Sequence, residues 1–142
     1  MSDKSTNKRM KKGNMKTGFL YLIEQKRTGF FKIGVSVDPD KRLDQLKTSS
    51  PVELKLITKI YTNDMYTLEK LFHKLFLRKN STLKEGEKWK NNREWFSLKD
   101  TDIKYIKNFK KKVIFNHEGK TFLEYYNRML HLYYKSNGNR FN

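Results

Sequence analysis

The stretch FLYLIEQKRTGFFKIGV, residues 19–35, decides the fold. Phe19-Leu20-Tyr21-Leu22-Ile23 is an apolar run of strand length, and Phe30-Phe31-Lys32-Ile33-Gly34-Val35 is a second. Lys26-Arg27-Thr28-Gly29 between them has the composition of a turn. A four-residue turn closed by Lys26 and Gly29 predicts a hairpin with Tyr21 opposite Gly34 and Ile23 opposite Lys32. Side chains alternate between faces along a strand, so Tyr21, Lys32 and Gly34 share one face. A slip of one residue would break up that grouping.

Outward from the hairpin, Asp38-Pro39 marks a helix start. Asp38 accepts from the orphan amides of the first turn, and Pro39 lacks only an N–H that would be unpaired there anyway. The helix carries Arg42, with Leu43 and Leu46 toward the core, and Thr48-Ser49-Ser50-Pro51 ends it. Val52 to Tyr61 reads as a third strand. Asn63 or Asp64 caps a helix over Met65 to Leu77, whose apolar residues Met65, Leu68, Leu71, Phe72, Leu75 and Phe76 keep helical spacing. At about 100° per residue, Glu69 falls at the edge of that stripe, where a carboxylate reaches a cleft beside the sheet. His73 lies one turn further on and reads as a helix-flank residue. Arg78 to Arg93 reads as a loop, and Glu94-Trp95-Phe96 returns apolar bulk that packs on the sheet. Ile103, Ile106, Phe109 and Val113 predict another helix. Thr121 and Glu124 form a capping box ahead of a last one. The fold class is α+β: a small three-stranded antiparallel sheet flanked by helices, plus C-terminal helices. Residues 1–16 read as a flexible basic tail, 17–98 as the domain, and 99–142 as a basic helical extension.

At 142 residues the chain has room for one domain. Hydrophobic residues at 36% and aromatics at 14% support a modest core and exclude wholesale disorder. No apolar run approaches a membrane span, and the N-terminus MSDKSTNKRMKKGNMK lacks the apolar stretch of a secretory signal. The absence of cysteine excludes disulfides, thiolate zinc sites and cysteine nucleophiles, and His73, His117 and His131 are too scattered for a classical zinc site. The net charge of +17 is spread along the chain, as +5 in residues 1–16, +6 in 17–98 and +6 in 99–142. Such self-repulsion makes a polyanion the natural partner, with nucleic acid first. A membrane surface is the weaker rival, because the basic tail has no hydrophobic anchor.

The ordered set FLYLI, KIG, Asp38-Pro39 with Arg42, a helix bearing Glu69, and Glu94-Trp95-Phe96 resembles the GIY-YIG nuclease superfamily. It is most similar to the compact branch, common in phages and large DNA viruses, in which the second motif reads KIG and an EWF-like segment closes the domain. The resemblance covers about residues 17–98. It implies a small antiparallel sheet flanked by helices, cutting DNA phosphodiesters with one divalent metal, Mg²⁺ or Mn²⁺. It also implies a phage- or virus-encoded protein, expected in the cytoplasm. Carried over by position, Tyr21 matches the tyrosine proposed in the family as general base toward water, and Lys32 stands where a second tyrosine is usual. Gly34 matches the motif glycine, Arg42 the catalytic arginine and Glu69 the metal-binding glutamate. Lys32, Gly34, Arg42, Lys41 and Lys47 would meet the nucleic acid.

The chemistry of these roles is coherent. Phosphodiester hydrolysis needs a deprotonated nucleophile and neutralisation of charge on the phosphoryl oxygens. A phenol, with an ordinary pKa of about 10, serves as base only where positive charge lowers that value. Arg42 offers a planar fork matched to phosphate. A single carboxylate suits Mg²⁺, which keeps several waters. Blander readings stand beside each role. Tyr21 reads also as an ordinary half-buried strand residue, Lys32 as a solvated one, Arg42 as a partner for Asp38 and Glu69 as a partner for Lys70 or a loop lysine. A late asparagine has only Asn91 and Asn92 as positional candidates, and Glu94 has no assigned role. The alternative function is a catalytically inactive nucleic-acid-binding module on the same fold.

Overall fold

The computed structural model describes residues 15–80 and 94–137. Most of the expected tail 1–16, the candidates Asn91 and Asn92, and the end of the C-terminal segment therefore lie outside the described residues. β1 (Gly18–Gln25) and β2 (Phe30–Ser36) form the predicted hairpin. Their register pairs Tyr21 with Gly34 and Ile23 with Lys32, as the turn length requires. The turn is held by Thr28, whose hydroxyl donates to the Gln25 carbonyl at 2.8 Å and accepts from the Phe30 N–H at 3.0 Å. Gly29 takes a φ of 81° there, a conformation open to residues without a Cβ.

α1 (Pro39–Lys47) starts as expected, with the Asp38 side chain accepting from the Lys41 N–H at 3.1 Å. β3 (Leu54–Thr62) pairs antiparallel with the other edge of β1, with a register shift between Leu22 and Ile23. α2 (Met65–Leu75) is capped by Asp64, which accepts from the Thr67 N–H and hydroxyl. His117 Nε2 approaches the same carboxylate at 2.8 Å, and its Nδ1 lies 2.9 Å from the Tyr125 hydroxyl. His117 is thus a buried structural group that ties the C-terminal segment to the start of α2.

The sheet is larger than expected. β4 (Trp95–Ser97) pairs antiparallel with β2, and β5 (Lys112–Val113) pairs parallel with β3. The order is β4-β2-β1-β3-β5, a five-stranded mixed sheet in place of the expected three antiparallel strands. The reason is backbone satisfaction. The outer edges of β2 and β3 present unpaired N–H and C=O groups, and two short segments cover them. Val113, expected on a helix, lies in β5. α3 (Asp100–Asn108) stops before it, and its C-cap Phe109 is already extended, with φ −63° and ψ 156°. α4 (Phe122–Ser136) opens on the predicted capping box: Glu124 N–H donates to Thr121 Oγ1 at 3.2 Å, and Thr121 N–H donates to Glu124 Oε1 at 2.7 Å. Among the described residues no helix is long and apolar enough to cross a membrane.

The two faces of the sheet have different occupants. Leu20, Leu22 and Ile33 meet residues of α2, α3 and α4, among them Phe72, Ile106 and Met129, in the main core. Tyr21, Ile23 and Leu54 form a smaller cluster with Leu43 and Leu46 of α1. α3 and α4 are joined below the main core through Asp102, which is fully buried. It accepts from the Tyr133 hydroxyl at 2.7 Å and the Lys99 N–H at 3.0 Å, and pairs with Lys79. Burial pushes its carboxyl up, but Lys79, Tyr133 and the Lys99 N–H together outweigh that and hold it below the ordinary value.

Asp102→Asn is expected to lower stability at pH 7 by about 3 kcal/mol, the usual cost of breaking a buried pair. A carboxyl held low in the folded state contributes above its unfolded pKa and loses that contribution as pH falls through the folded one. The deficit measured by urea unfolding should therefore shrink between pH 5 and pH 2.

Candidate active site

The hairpin register builds the floor of the site. Tyr21 and Gly34 face each other on the α1 side of the sheet, and the phenol lies across the glycine. A Cβ on Gly34 would sit 2.4 Å from the Tyr21 hydroxyl oxygen and 2.9 Å from Glu94 Oε1. Both are far inside van der Waals contact, so any side chain at 34 would displace the phenol, the carboxylate or both. The glycine is the condition for the two oxygens to converge.

Lys32, one pleat further along β2 on the same face, is buried to 7% exposure. Its Nζ lies 2.9 Å from Glu94 Oε1 and 5.5 Å from the centroid of the Trp95 ring. A buried ammonium needs such a partner. β4 supplies both contacts, because the antiparallel pairing sets Trp95 beside Lys32 and the Ile33 N–H donates to the Glu94 carbonyl at 2.9 Å. Glu94 itself keeps a 39% exposed side chain, so the pair is reachable from solvent.

Arg42 enters from α1. The helix is held at its start by Asp38 and braced against β3 by Lys59 Nζ, 3.3 Å from Asp40 Oδ2. The Arg42 guanidinium donates to Gln45 Oε1 at 3.5 Å and stands beside the Tyr21 phenol. That phenol is pushed up to about 12, chiefly by burial, with the Arg42 guanidinium pulling it down and the charges of Glu94 and Glu69 pushing it up. Without added positive charge Tyr21 is a protonated phenol at neutral pH.

Glu69 comes from α2, at the edge of the helix stripe as the spacing predicts. Burial and the charge of Glu94 raise its carboxyl from 4.5 to about 7, against the pull of Lys32 and Lys70. His73, one turn on, lies 3.9 Å from Glu69 Oε2. Its Nε2 is 2.7 Å from the Ile33 carbonyl oxygen, which only accepts, so Nε2 carries the proton. β4 pairs β2 only as far as Lys32, and the imidazole takes the ladder position beyond that end. Burial lowers the ring below its ordinary value despite that hydrogen bond and the nearby Glu94. His73 is thus a neutral structural donor.

The structure sets Tyr21 against Gly34, pairs Lys32 with the Glu94 carboxylate over the same glycine, and leaves Arg42 and Glu69 close enough for their charges to act on the Tyr21 phenol, although the chain spreads Tyr21 to Glu69 over 49 positions. Lys41 and Lys47 are exposed on α1, outside the buried cluster. Glu94 was missed as a site residue. Its signal was its place beside Trp95-Phe96: reading that segment as an edge strand on β2 brings Glu94 next to Lys32. Among the described residues no group of three or more His, Asp or Glu side chains is arranged to hold a metal ion. What the cleft offers a cation is a pair of neighbouring acids, Glu69 and Glu94. Its donors are oxygens, and the Glu69 carboxyl is raised first by burial and then by the charge of Glu94, which a cation between the two acids would offset. Mg²⁺, which binds through one or two carboxylates and retains water, fits that donor set; a closed structural zinc site does not.

A family model described as the T5orf172 domain matches residues 18–113, which include every residue of this cluster. No curated protein and no solved structure matches the chain.

Glu69 should make folding pH-dependent in a definite sense. With the folded carboxyl near 7 and the ordinary value at 4.5, protonation stabilises the folded state below about pH 4.5, and this is lost as pH rises past about 7. Glu69→Gln removes that loss. In urea unfolding it should match wild type at pH 5 and exceed it at pH 8, by on the order of 2 kcal/mol.

Proposed function

This chain belongs to the T5orf172 domain family, a phage-associated domain of nuclease type, and from that premise we propose that it is a divalent-metal-dependent DNA endonuclease. The observation that carries the reading is that the Tyr21 phenol lies over the bare backbone of Gly34 with the Arg42 guanidinium beside it and the half-buried Glu69 carboxyl near enough for its charge to act on it. Those are the groups hydrolysis of a phosphodiester requires. The net charge of +17 supplies the sequence-independent attraction for DNA.

In this reading Glu69 holds a Mg²⁺ or Mn²⁺ ion, with Glu94 adding negative charge beside it. When bound, the ion neutralises the phosphoryl oxygens and activates water. Arg42 binds a non-bridging phosphate oxygen through its planar fork. Lys32 is held by Glu94 until a phosphate arrives to compete for it, and the same phosphate repels Glu94 from the mouth of the cleft. Tyr21 is the proton acceptor toward the attacking water. In the resting site its phenol is held up to about 12, chiefly by burial, with Arg42 pulling it down and the charges of Glu94 and Glu69 pushing it up. Neutralising those carboxylates would remove only their share of the rise, so base function also needs the positive charge of the bound cation and is confined to the loaded site.

The raised phenol also favours a second reading, a nucleic-acid-binding module that does not cut. Plasmid nicking separates the two. With Mg²⁺ or Mn²⁺ the wild type should nick supercoiled plasmid, and Tyr21→Phe and Glu69→Ala should each slow it by about 10²-fold or more. The rate should climb with pH through the alkaline range in wild type and lose that climb in Tyr21→Phe. A wild type that binds DNA but is inert in both metals contradicts the enzyme reading. An activity indifferent to Glu69→Ala contradicts the assignment of the site.

A further inference from the structure

On the core side of the sheet, away from the Tyr21–Gly34 site, α2, α3, the 109–115 segment and α4 line an open cavity of about 610 Å³. Leu68, Leu71, Phe109, Phe115 and Met129 line it with apolar surface. The size and lining are those of a binding site. On its wall Leu132 is held 45% exposed, a large apolar side chain open to water. Tyr105 also lines the cavity, and its hydroxyl oxygen is buried with no hydrogen-bond partner among the described residues. A buried phenol left unpaired is unfavourable.

Charge identifies the occupant. Lys110, Arg128 and Lys135 stand on the rim, all exposed, and the lining residues include no Asp or Glu. None of the three cations has an ion-pair partner among the described residues. Arg128 and Lys135 are seven residues apart on α4, about 10 Å along its axis. Lys110 faces them from the opposite wall. One anionic headgroup does not span that distance, whereas a segment with several acids along its length does. A nucleic-acid strand carries the charge, but its bases bear polar edges that Leu68, Leu71, Val113 and Met129 would leave unpaired.

We propose that this cavity is a docking site for an acidic peptide segment of a partner protein, which seats one bulky apolar side chain among Leu71, Phe115 and Met129 and lays its carboxylates along Arg128, Lys135 and Lys110. The site is separate from the cleft and does not depend on the nuclease reading.

The test uses the full chain and fluorescence anisotropy at physiological salt, where diffuse charge attraction is screened. The probe is a fluorescein-labelled twelve-residue peptide of Asp and Glu with a single central Phe; the control has Ser in its place. The expected result is about tenfold tighter binding of the Phe peptide, the worth of one buried apolar anchor. Arg128→Glu and Lys135→Glu should each weaken it about tenfold. Leu132→Asp should erase the preference for Phe over Ser. These three residues are exposed on α4, so the variants keep the fold, and circular dichroism checks that they do. Equal binding of the two peptides overturns the proposal, as does binding that ignores all three α4 variants. Displacement of the Phe peptide by dodecanoate or by a twelve-nucleotide oligothymidylate, with affinity for that competitor sensitive to Leu132→Asp, overturns it in favour of a lipid-like anion or a nucleic-acid strand.

Discussion

Antiparallel pairing sets Tyr21 against Gly34 near the middle of the sheet. The phenol then fills the space that any larger partner would claim, and Glu94 shares it. Several other features follow from that steric condition. The hairpin turn must have four residues, or the pairing shifts. β4 must stop where it does, so that Glu94 reaches over the glycine while His73 takes up the next carbonyl of β2. α1 must approach on the Tyr21 face, which it does by packing Leu43 and Leu46 on that side and presenting Arg42 beside the phenol.

The cleft is electrically close to balanced at rest, with Lys32 and Arg42 against Glu69 and Glu94. It is nonetheless strained in the chemical sense. Burial leaves Glu69 reluctant to ionise and Tyr21 far from ionising. A core built for stability alone would place neutral, well-packed residues there. Groups held away from their ordinary protonation states in a shared cleft are what acid–base chemistry needs, and the cost to folding appears as pH-dependent stability. Elsewhere the buried ionic groups are satisfied. Asp102 and Asp64 each collect three or more hydrogen-bonding or charged contacts, and both serve to join elements.

Much of this was legible in the sequence where local chemistry is decisive. The turn length set the hairpin register. Asp38-Pro39, Asp64 and the Thr121–Glu124 box placed three helix starts, because caps act within one turn. The stripe from Met65 to Phe76 placed Glu69 at the edge of α2. What escaped was long-range and short in length. β4 and β5 have three and two residues, too few for a periodicity, and exist because another strand's edge lacks partners. Val113 kept helical spacing with Ile103 and Ile106 yet lies in β5. Glu94 and His73 take their parts from that edge geometry. His117 could not be read as a buried cross-link, since its partners Asp64 and Tyr125 are set by tertiary packing.

In the proposed function a divalent cation would bind at Glu69, close to the Tyr21–Gly34 pair. Paramagnetic broadening of amide and tyrosine ring resonances on adding Mn²⁺ to the isotopically labelled protein tests it most directly. Broadening at substoichiometric Mn²⁺ should concentrate on the Gly34 amide, the Tyr21 ring and the Glu69 turn of α2, and Glu69→Ala should abolish it. Broadening centred elsewhere, or unchanged by Glu69→Ala, would contradict it.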